Sequence, residues 1–327
     1  MRVLITGATG FVGGFLAAEI ARHEPDAEIW GVGHGHPLVD PKTLPTGMRV
    51  LDGDLSGGDF VREAIAQSQP DRVYHLAGFA SGAGTDRERI FRVNVDATET
   101  LLRVLADAGR PCNVLLASSG YVYGATQPGR PAKETDDPAP IGAYAESKAA
   151  MERMAETLAA ADDLVKITAT RAFNHTGPHQ TTGFAVPAFA SQIARIEAGL
   201  EEPVVRVGNL DALRDFLDVR DVVRAYRLLL TGAHDSAYRV VNVASGVGVV
   251  MRDLLDRLIA LAKVPVTVET DPARLRPSDI PESVGDPALL TEWTGWVPEI
   301  GLDTTLAFTL DWWRELSARE ATRASAG

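Results

Sequence analysis

Thr6-Gly7-Ala8-Thr9-Gly10-Phe11-Val12-Gly13 follows directly on an aliphatic run at 3–6 and opens the first helical stretch of the chain. Its spacing is Gly-x-x-Gly-x-x-Gly, and each glycine answers a steric need. Gly7 permits a tight turn, Gly10 lets backbone N–H groups approach a pyrophosphate, and Gly13 lets the helix pack closely on the strand. A strand before the loop, a helix after it and a place at the start of the chain are the context in which such glycines hold a dinucleotide. The helix then begins at Phe11 and Val12, which join the candidate cofactor contacts.

The next strand, 28–32, ends in Gly33-His34-Gly35-His36. Sheets that select NAD usually place an acid here for the ribose 2′-hydroxyl. None is present, which leaves room and two imidazole donors for a 2′-phosphate. The expected cofactor is therefore NADP(H), with His34 as a contact, and NAD(H) is the alternative if both histidines are solvated loop residues.

Further along, aliphatic and β-branched runs at 73–76, 114–117 and 167–171 alternate with amphipathic stretches at 11–23 and 93–108. That alternation predicts an α/β fold, a doubly wound parallel sheet with helices on both faces. Beyond 173 the pattern loosens into segments punctuated by Pro and Gly. This predicts a dinucleotide domain at 1–173, with 215–245 contributing, and a smaller interleaved C-terminal substrate lobe at 174–214 and 246–327. The small, polar tail at 318–327 is expected to fray.

Composition narrows the classes of function. The chain has 327 residues, 45% hydrophobic and 23% charged, with 44 acidic against 32 basic side chains and a net charge of −12. That charge opposes non-specific binding to nucleic acid. No apolar run is long enough for a membrane span. Residues 2–16 carry Thr6, Gly7, Thr9 and Gly10 too early for a signal peptide and are read as mature structure. Cys112 is the single cysteine, which suits a reducing compartment, so the cytoplasm is the expected location. The seven histidines show no metal-ligand spacing, and no metal is expected.

The run at 114–117 ends in Ser118-Ser119-Gly120-Tyr121-Val122-Tyr123-Gly124, and Tyr144-Ala145-Glu146-Ser147-Lys148 follows. Tyr144 and Lys148, four apart, share one helix face. A phenol titrates near ~10, so it exchanges protons poorly at neutral pH unless its anion is favoured. Lys148 is expected to supply that favour and bring the Tyr144 pKa down, while Ser119 hydrogen-bonds the same substrate oxygen.

With these residues the chain resembles the extended short-chain dehydrogenases/reductases that modify nucleotide sugars, which carry a Rossmann sheet. The resemblance spans nearly the whole length. It rests on the glycine loop, His75-Leu76-Ala77-Gly78, Asn94-Val95, Ser119 to Gly124, Tyr144 to Lys148, Arg171-Ala172-Phe173-Asn174, Arg214-Asp215-Phe216 and Asp218-Val219-Arg220-Asp221. Gly78 departs from the family, where alanine is usual. The resemblance implies that Asp54, Leu55, Leu76, Ala77, Gly78, Asn94 and Phe173 line the cofactor, with Asp54 accepting from the adenine amino group. It also implies a catalytic Ser119, Tyr144 and Lys148, with Lys148 holding the nicotinamide ribose, and a homodimer through 93–108 and 144–161.

Within the family, 4,6-dehydratases need an extra acid just after the position of Ser119, and here Gly120 and Tyr121 stand there. The stretches 171–178, 184–196 and 207–216 are similar to those of GDP-4-keto-6-deoxymannose reductases. That likeness implies reduction of the C4 ketone to GDP-rhamnose, with Tyr144 protonating O4. It implies substrate contacts at Asn174, Val186, Arg214 and Arg276 and a ribose contact at Asp279. An arginine fork suits phosphate oxygens, although any of these arginines could instead be a surface ion pair. A nucleotide-sugar 4-epimerase would need the same Ser, Tyr and Lys, and a cofactor-sensing protein without catalysis is the reading from another class.

Overall fold

A computed structural model describes all residues except 36, 41–42, 80–85, 233, 276–279 and 327. β1 (Arg2–Thr6) leads into α1 (Phe11–His23), then β2 (Glu28–Gly33), β3 (Arg49–Asp52), α2 (Gly58–Ser68) and β4 (Arg72–His75). α3 (Arg87–Phe91) passes through a π-helical turn (Arg92–Asp96) into α4 (Ala97–Asp107). β5 (Cys112–Ala117), a 3-10 turn (Gly120–Tyr123), α5 (Ala143–Ala159) and β6 (Val165–Ala172) complete the first half. The second half runs β7 (Asn174–Thr176), α6 (Ala185–Glu197), β8 (Val204–Val207), β9 (Leu213–Asp218), α7 (Val219–Thr231) and β10 (Tyr238–Val243). It ends with β11 (Gly248–Val250), α8 (Met251–Ala260), β12 (Thr267–Thr270), β13 (Glu282–Ser283), α9 (Ala288–Thr294) and α10 (Leu302–Ala326).

Seven parallel strands form the main sheet in the order β10-β6-β5-β4-β1-β2-β3. Strand order reverses between β1 and β4, and a doubly wound sheet opens its ligand crevice at that switch point. The central strands read as continuous aliphatic runs because both faces are covered: Leu4 and Ile5 of β1 are buried towards opposite helix layers. β3 is an edge strand and its residues are largely exposed. On one face α1 and α7 pack with Trp296, whose indole N–H donates to the Asp221 carbonyl at 3.0 Å. α2, α4 and α5 cover the other face.

Within 215–245, α7 and β10 join this large unit, whereas β9 pairs with β7, β11 and β13 in a separate sheet. β8 and β12 form a two-stranded parallel pair. α6, α8 and α10 bury their apolar faces together over this second part, around Ile193, Leu254 and Leu306. The tail corrects one expectation, because α10 continues to Ala326 instead of fraying at 318. Its earlier turns are anchored by Leu306 and Leu310, and Arg319 pairs with Glu315 along its surface. No helix among the described residues is long and apolar enough to cross a membrane.

Candidate active site

The C-terminal ends of β1, β2, β4 and β5 face the second part of the chain across a cleft of about 1160 Å³. At its floor, Gly7 adopts φ +70°, the left-handed region that a tight turn demands and that favours glycine. Gly13 is needed for another reason: a Cβ there would lie 2.2 Å from the Gly7 carbonyl oxygen and 2.7 Å from the Ala8 Cα. Gly10 caps α1 without any side-chain hydrogen bond, so the first N–H groups of the helix stay open to an anion. Phe11 and Val12 line the cleft beside it.

His34, directly after β2, and Asp54 with Leu55, after β3, form one end of the cleft. Asp54 is held below the usual carboxylate range, first because its Oδ1 accepts from the Ser56 N–H at 2.9 Å, with His34 and Arg92 adding positive charge. Arg92 lines this same end, with Arg89 also on the wall. Sequence reasoning places no cation there, because these arginines come from the far side of β4 and only the folded sheet brings them to the second strand. Arg92 forms no side-chain ion pair among the described residues. His36, the second expected imidazole donor, lies outside them.

Leu76, Ala77 and Gly78 follow β4 along the cleft wall, and Phe173 closes it from β6. Phe173 is pinned: a Cβ on Gly120 would approach its ring to 2.9 Å, and one on Gly285 to 2.2 Å. Asn94 stands behind the wall, 1% exposed. Its Oδ1 accepts from the Phe79 N–H at 2.8 Å and its amide donates to the Ser147 hydroxyl at 2.9 Å, which in turn donates to the Tyr144 carbonyl. The π-helical turn aims Asn94 inward, and it splices the loop after β4 to the turn of α5 that carries the tyrosine. Gly78 is more than a neutral departure. A Cβ there would come within 2.8 Å of the Asn94 Oδ1.

Ser119 ends β5, and its hydroxyl accepts from the Tyr121 N–H at 3.2 Å, which holds it at the mouth of the 3-10 turn. Tyr144 and Lys148 enter from α5, and all three line the same cleft. Lys148 donates to the Ala117 carbonyl at 2.7 Å. Burial lowers its pKa to about 8, against the opposing charge of Glu152. Tyr144 overturns the expected direction. Burial pushes its phenol up to about 12, the Ser119 hydrogen bond only partly offsets this, and Tyr121 adds to the rise. Lys148 also donates to Ala117, and desolvation of the phenol outweighs the help its charge gives the phenolate.

Across the cleft, Asn174 of β7, Val186 of α6 and Arg214 of β9 line the opposite wall. The Arg214 guanidinium is engaged by backbone, donating to the carbonyls of Leu213 at 2.9 Å, Ile280 at 2.7 Å and Pro281 at 3.3 Å. Arg276 and Asp279 lie outside the described residues. Arg206, Asn209 and Arg274 also reach this wall, and sequence reasoning missed them. The alternation in β8, which buries Val205 and Val207 and turns Arg206 outward, was the available signal. His175 hydrogen-bonds the Phe173 carbonyl at 3.0 Å and stacks on Phe11 at 6.0 Å, as a packed lobe residue does.

The amino-acid sequence matches the NAD dependent epimerase/dehydratase family over residues 3–244. It is 35% identical to the GDP-6-deoxy-D-mannose reductase of Pseudomonas aeruginosa over 315 residues, 95% of this chain and 97% of that one. It is 26% identical to the GDP-6-deoxy-D-talose 4-dehydrogenase of Aggregatibacter actinomycetemcomitans, over 89% of this chain and 90% of that one. The solved structure of RMD from Pseudomonas aeruginosa complexed with NADPH matches with a TM-score of 0.81 at 31% identity, covering 97% of this chain and 100% of that chain.

Proposed function

The chain belongs to the NAD dependent epimerase/dehydratase family, and from that premise we propose that it reduces the C4 ketone of a GDP-4-keto-6-deoxy sugar to GDP-rhamnose with NADP(H). One observation carries the reading beyond the family. Among the described residues lining the cleft, Asp54 is the only carboxylate, and it sits with His34 and Arg92, not with Ser119 and Tyr144. Elimination of water from a sugar needs a base at the reacting carbons, whereas reduction of a ketone needs a hydride and a proton donor. A neutral phenol suits the reduction, because Tyr144 at about 12 holds its proton throughout the physiological range. A 4-epimerase would instead have to begin by taking a proton from an alcohol.

The residues present fit a dinucleotide: a glycine cradle that a single Cβ would fill, an open helix N-terminus, and apolar Leu55 and Phe173 along the wall. Gly7, Gly10, Phe11, Val12 and Gly13 would hold the pyrophosphate, and Lys148 the nicotinamide ribose. When bound, the nicotinamide supplies the hydride for C4. Tyr144 gives the proton to O4, Ser119 orients that oxygen, and the ammonium of Lys148 stabilises the phenolate left behind. Asn174, Arg206 and Arg274 offer donors and positive charge to the sugar diphosphate in a protein whose net charge is −12.

The decisive experiment follows NADPH absorbance with purified protein and freshly generated GDP-4-keto-6-deoxymannose, with the product characterised by NMR. Stoichiometric oxidation giving GDP-rhamnose is expected. A product with the opposite C4 configuration would replace the rhamnose assignment, and interconversion of intact GDP- or UDP-sugars without net NADPH loss would replace reduction with 4-epimerisation. The cofactor preference has its own check. Replacing both His34 and Arg92 by alanine should weaken NADPH binding by about 10–100-fold, the value of one or two charge-assisted hydrogen bonds, and leave NADH binding nearly unchanged. Equal losses for both cofactors would show that these cations do not read the 2′-phosphate.

We infer a homodimer through α4 and α5, where Val104, Met154 and Leu158 are only partly buried. Light scattering should give the mass of two chains, and Met154→Glu/Leu158→Glu should give one. A wild-type monomer would remove this assembly from the reading.

A further inference from the structure

Behind the catalytic residues lies an ion pair that the proposed chemistry does not use. Glu152 and Arg171 are each 5% exposed. The Arg171 Nε donates to both Glu152 oxygens at 3.2 Å and its Nη2 donates to Oε2 at 2.7 Å, a fork that fixes the carboxylate in plane. The guanidinium also lies over the Tyr123 ring, 4.7 Å from its centroid. Glu152 keeps one further partner: the Ser118 hydroxyl donates to its Oε1. Ser118 directly precedes Ser119, so the carboxylate ties the end of β5 to α5 at the point where the strand presents its serine. On α5, Glu152 stands four residues after Lys148, on the same face.

We propose that Glu152 is a positioning residue, whose carboxylate anchors the β5 exit that presents Ser119 and stands one helical turn from Lys148 as its counter-charge. The electrostatic half of this follows from which charges surround Lys148. On its own helix are Tyr144 and Glu152. The 3-10 turn contributes Tyr121 and Tyr123, whose phenol is held up at about 12 by burial. β4 contributes His75, buried and lowered to about 3, so it is uncharged at working pH. β6 contributes Arg171, whose charge is spent on Glu152. Glu152 is thus the anion that offsets the burial of Lys148, and among the described residues it is the only charge acting in that direction. The hydroxyl of Ser118 and the fork of Arg171 hold that anion in place.

The kinetic consequence rests on the reductase reading, but the charge on Lys148 can be read without any substrate. The chain contains five lysines, so NMR titration of 13C-labelled lysine can resolve Lys148, assigned by loss of its signal in Lys148→Arg. In Glu152→Gln its titration should move to lower pH by about one unit or more, as expected when a nearby opposite charge is removed. The alkaline fall of kcat/KM should move by the same amount, giving roughly a tenfold loss of activity above the wild-type midpoint and a much smaller one near pH 6. A buried arginine left without its partner is destabilising. Glu152→Gln/Arg171→Gln therefore places two hydrogen-bonding amides in the same space, and it should show the same direction of shift. An unchanged Lys148 titration in a folded variant overturns the proposal. If the NMR shift appears while the sugar is not reduced, the charge-setting role stands and the reductase reading falls alone.

Discussion

Tyr144→Phe lowers kcat for the 4-keto sugar on the order of 10³-fold, within the range for loss of a general acid, while NADPH binding stays at the wild-type level. The substitution keeps the ring and removes one oxygen, so the cleft wall retains its shape. Tyr144 meets Tyr121 edge to face, with ring centroids 6.5 Å apart, and that packing survives the change. What disappears is the proton that must reach O4 as the ketone becomes an alcohol. Neither neighbour replaces it well. Ser119 is a far weaker acid than a phenol, and the Lys148 ammonium is committed to the Ala117 carbonyl. The phenol sits at about 12, so it carries its proton at every pH at which the protein would be assayed, and the wild-type rate should show no alkaline limb from this group. Fluorescence titration with NADPH, beside single-turnover rates, separates binding from chemistry. A variant within tenfold of wild type would mean that O4 takes its proton from water or from Ser119, and Tyr144 would not be the general acid.

The direction of that pKa is where reading from residues alone goes astray. Spacing alone places Tyr144 and Lys148 on one helix face and, with Ser119 at the end of an aliphatic run, locates the cleft. Spacing says nothing about how deep the phenol lies or where the lysine points, and those two facts reverse the expected shift. The same division holds elsewhere. The glycine loop and the alternation of runs define the parallel sheet, because a strand buried on both faces must be aliphatic throughout. Arg92, Arg206 and Arg274 escaped because their place on the cleft depends on elements far from them in the chain, and an exposed arginine looks the same in sequence whatever it faces. Asn94 belongs to the site by its motif, but its hydrogen bonds show it bracing the wall from behind. Gly78, a small departure on paper, is where a side chain would press on that brace. The tail looked too polar to order, but its helix is anchored upstream by Leu306 and Leu310 and does not need an apolar end.

Gly13→Ala should weaken NADPH binding by about 100-fold or more, because the methyl has nowhere to go. Its Cβ would meet the Gly7 carbonyl oxygen at 2.2 Å and the Ala8 Cα at 2.7 Å. Both are backbone atoms of the turn that aims the first N–H groups of α1. To relieve the overlap, the helix must retreat from β1 by about an ångström, and packed cores resist such shifts at a cost of about 1–3 kcal/mol. The larger penalty falls on the ligand. N–H groups that are displaced from a charged phosphate forfeit about 1.5–3 kcal/mol each, so breaking one such hydrogen bond and weakening a second already reaches about 100-fold. Gly14→Ala makes a useful comparison, since its Cβ would meet only the side chain of Val39, whose nearer methyl is 2.9 Å away. That variant can adjust one side chain and should bind NADPH far better than Gly13→Ala. The two effects of Gly13→Ala are separable by measurement: thermal unfolding of the free protein reports the packing cost, and the difference in melting point with and without NADPH reports the weakened grip on the phosphates. If Gly13→Ala melts lower but binds NADPH within threefold of wild type, α1 and the loop move together as a unit. The pyrophosphate would then be gripped mainly from elsewhere on the cleft wall.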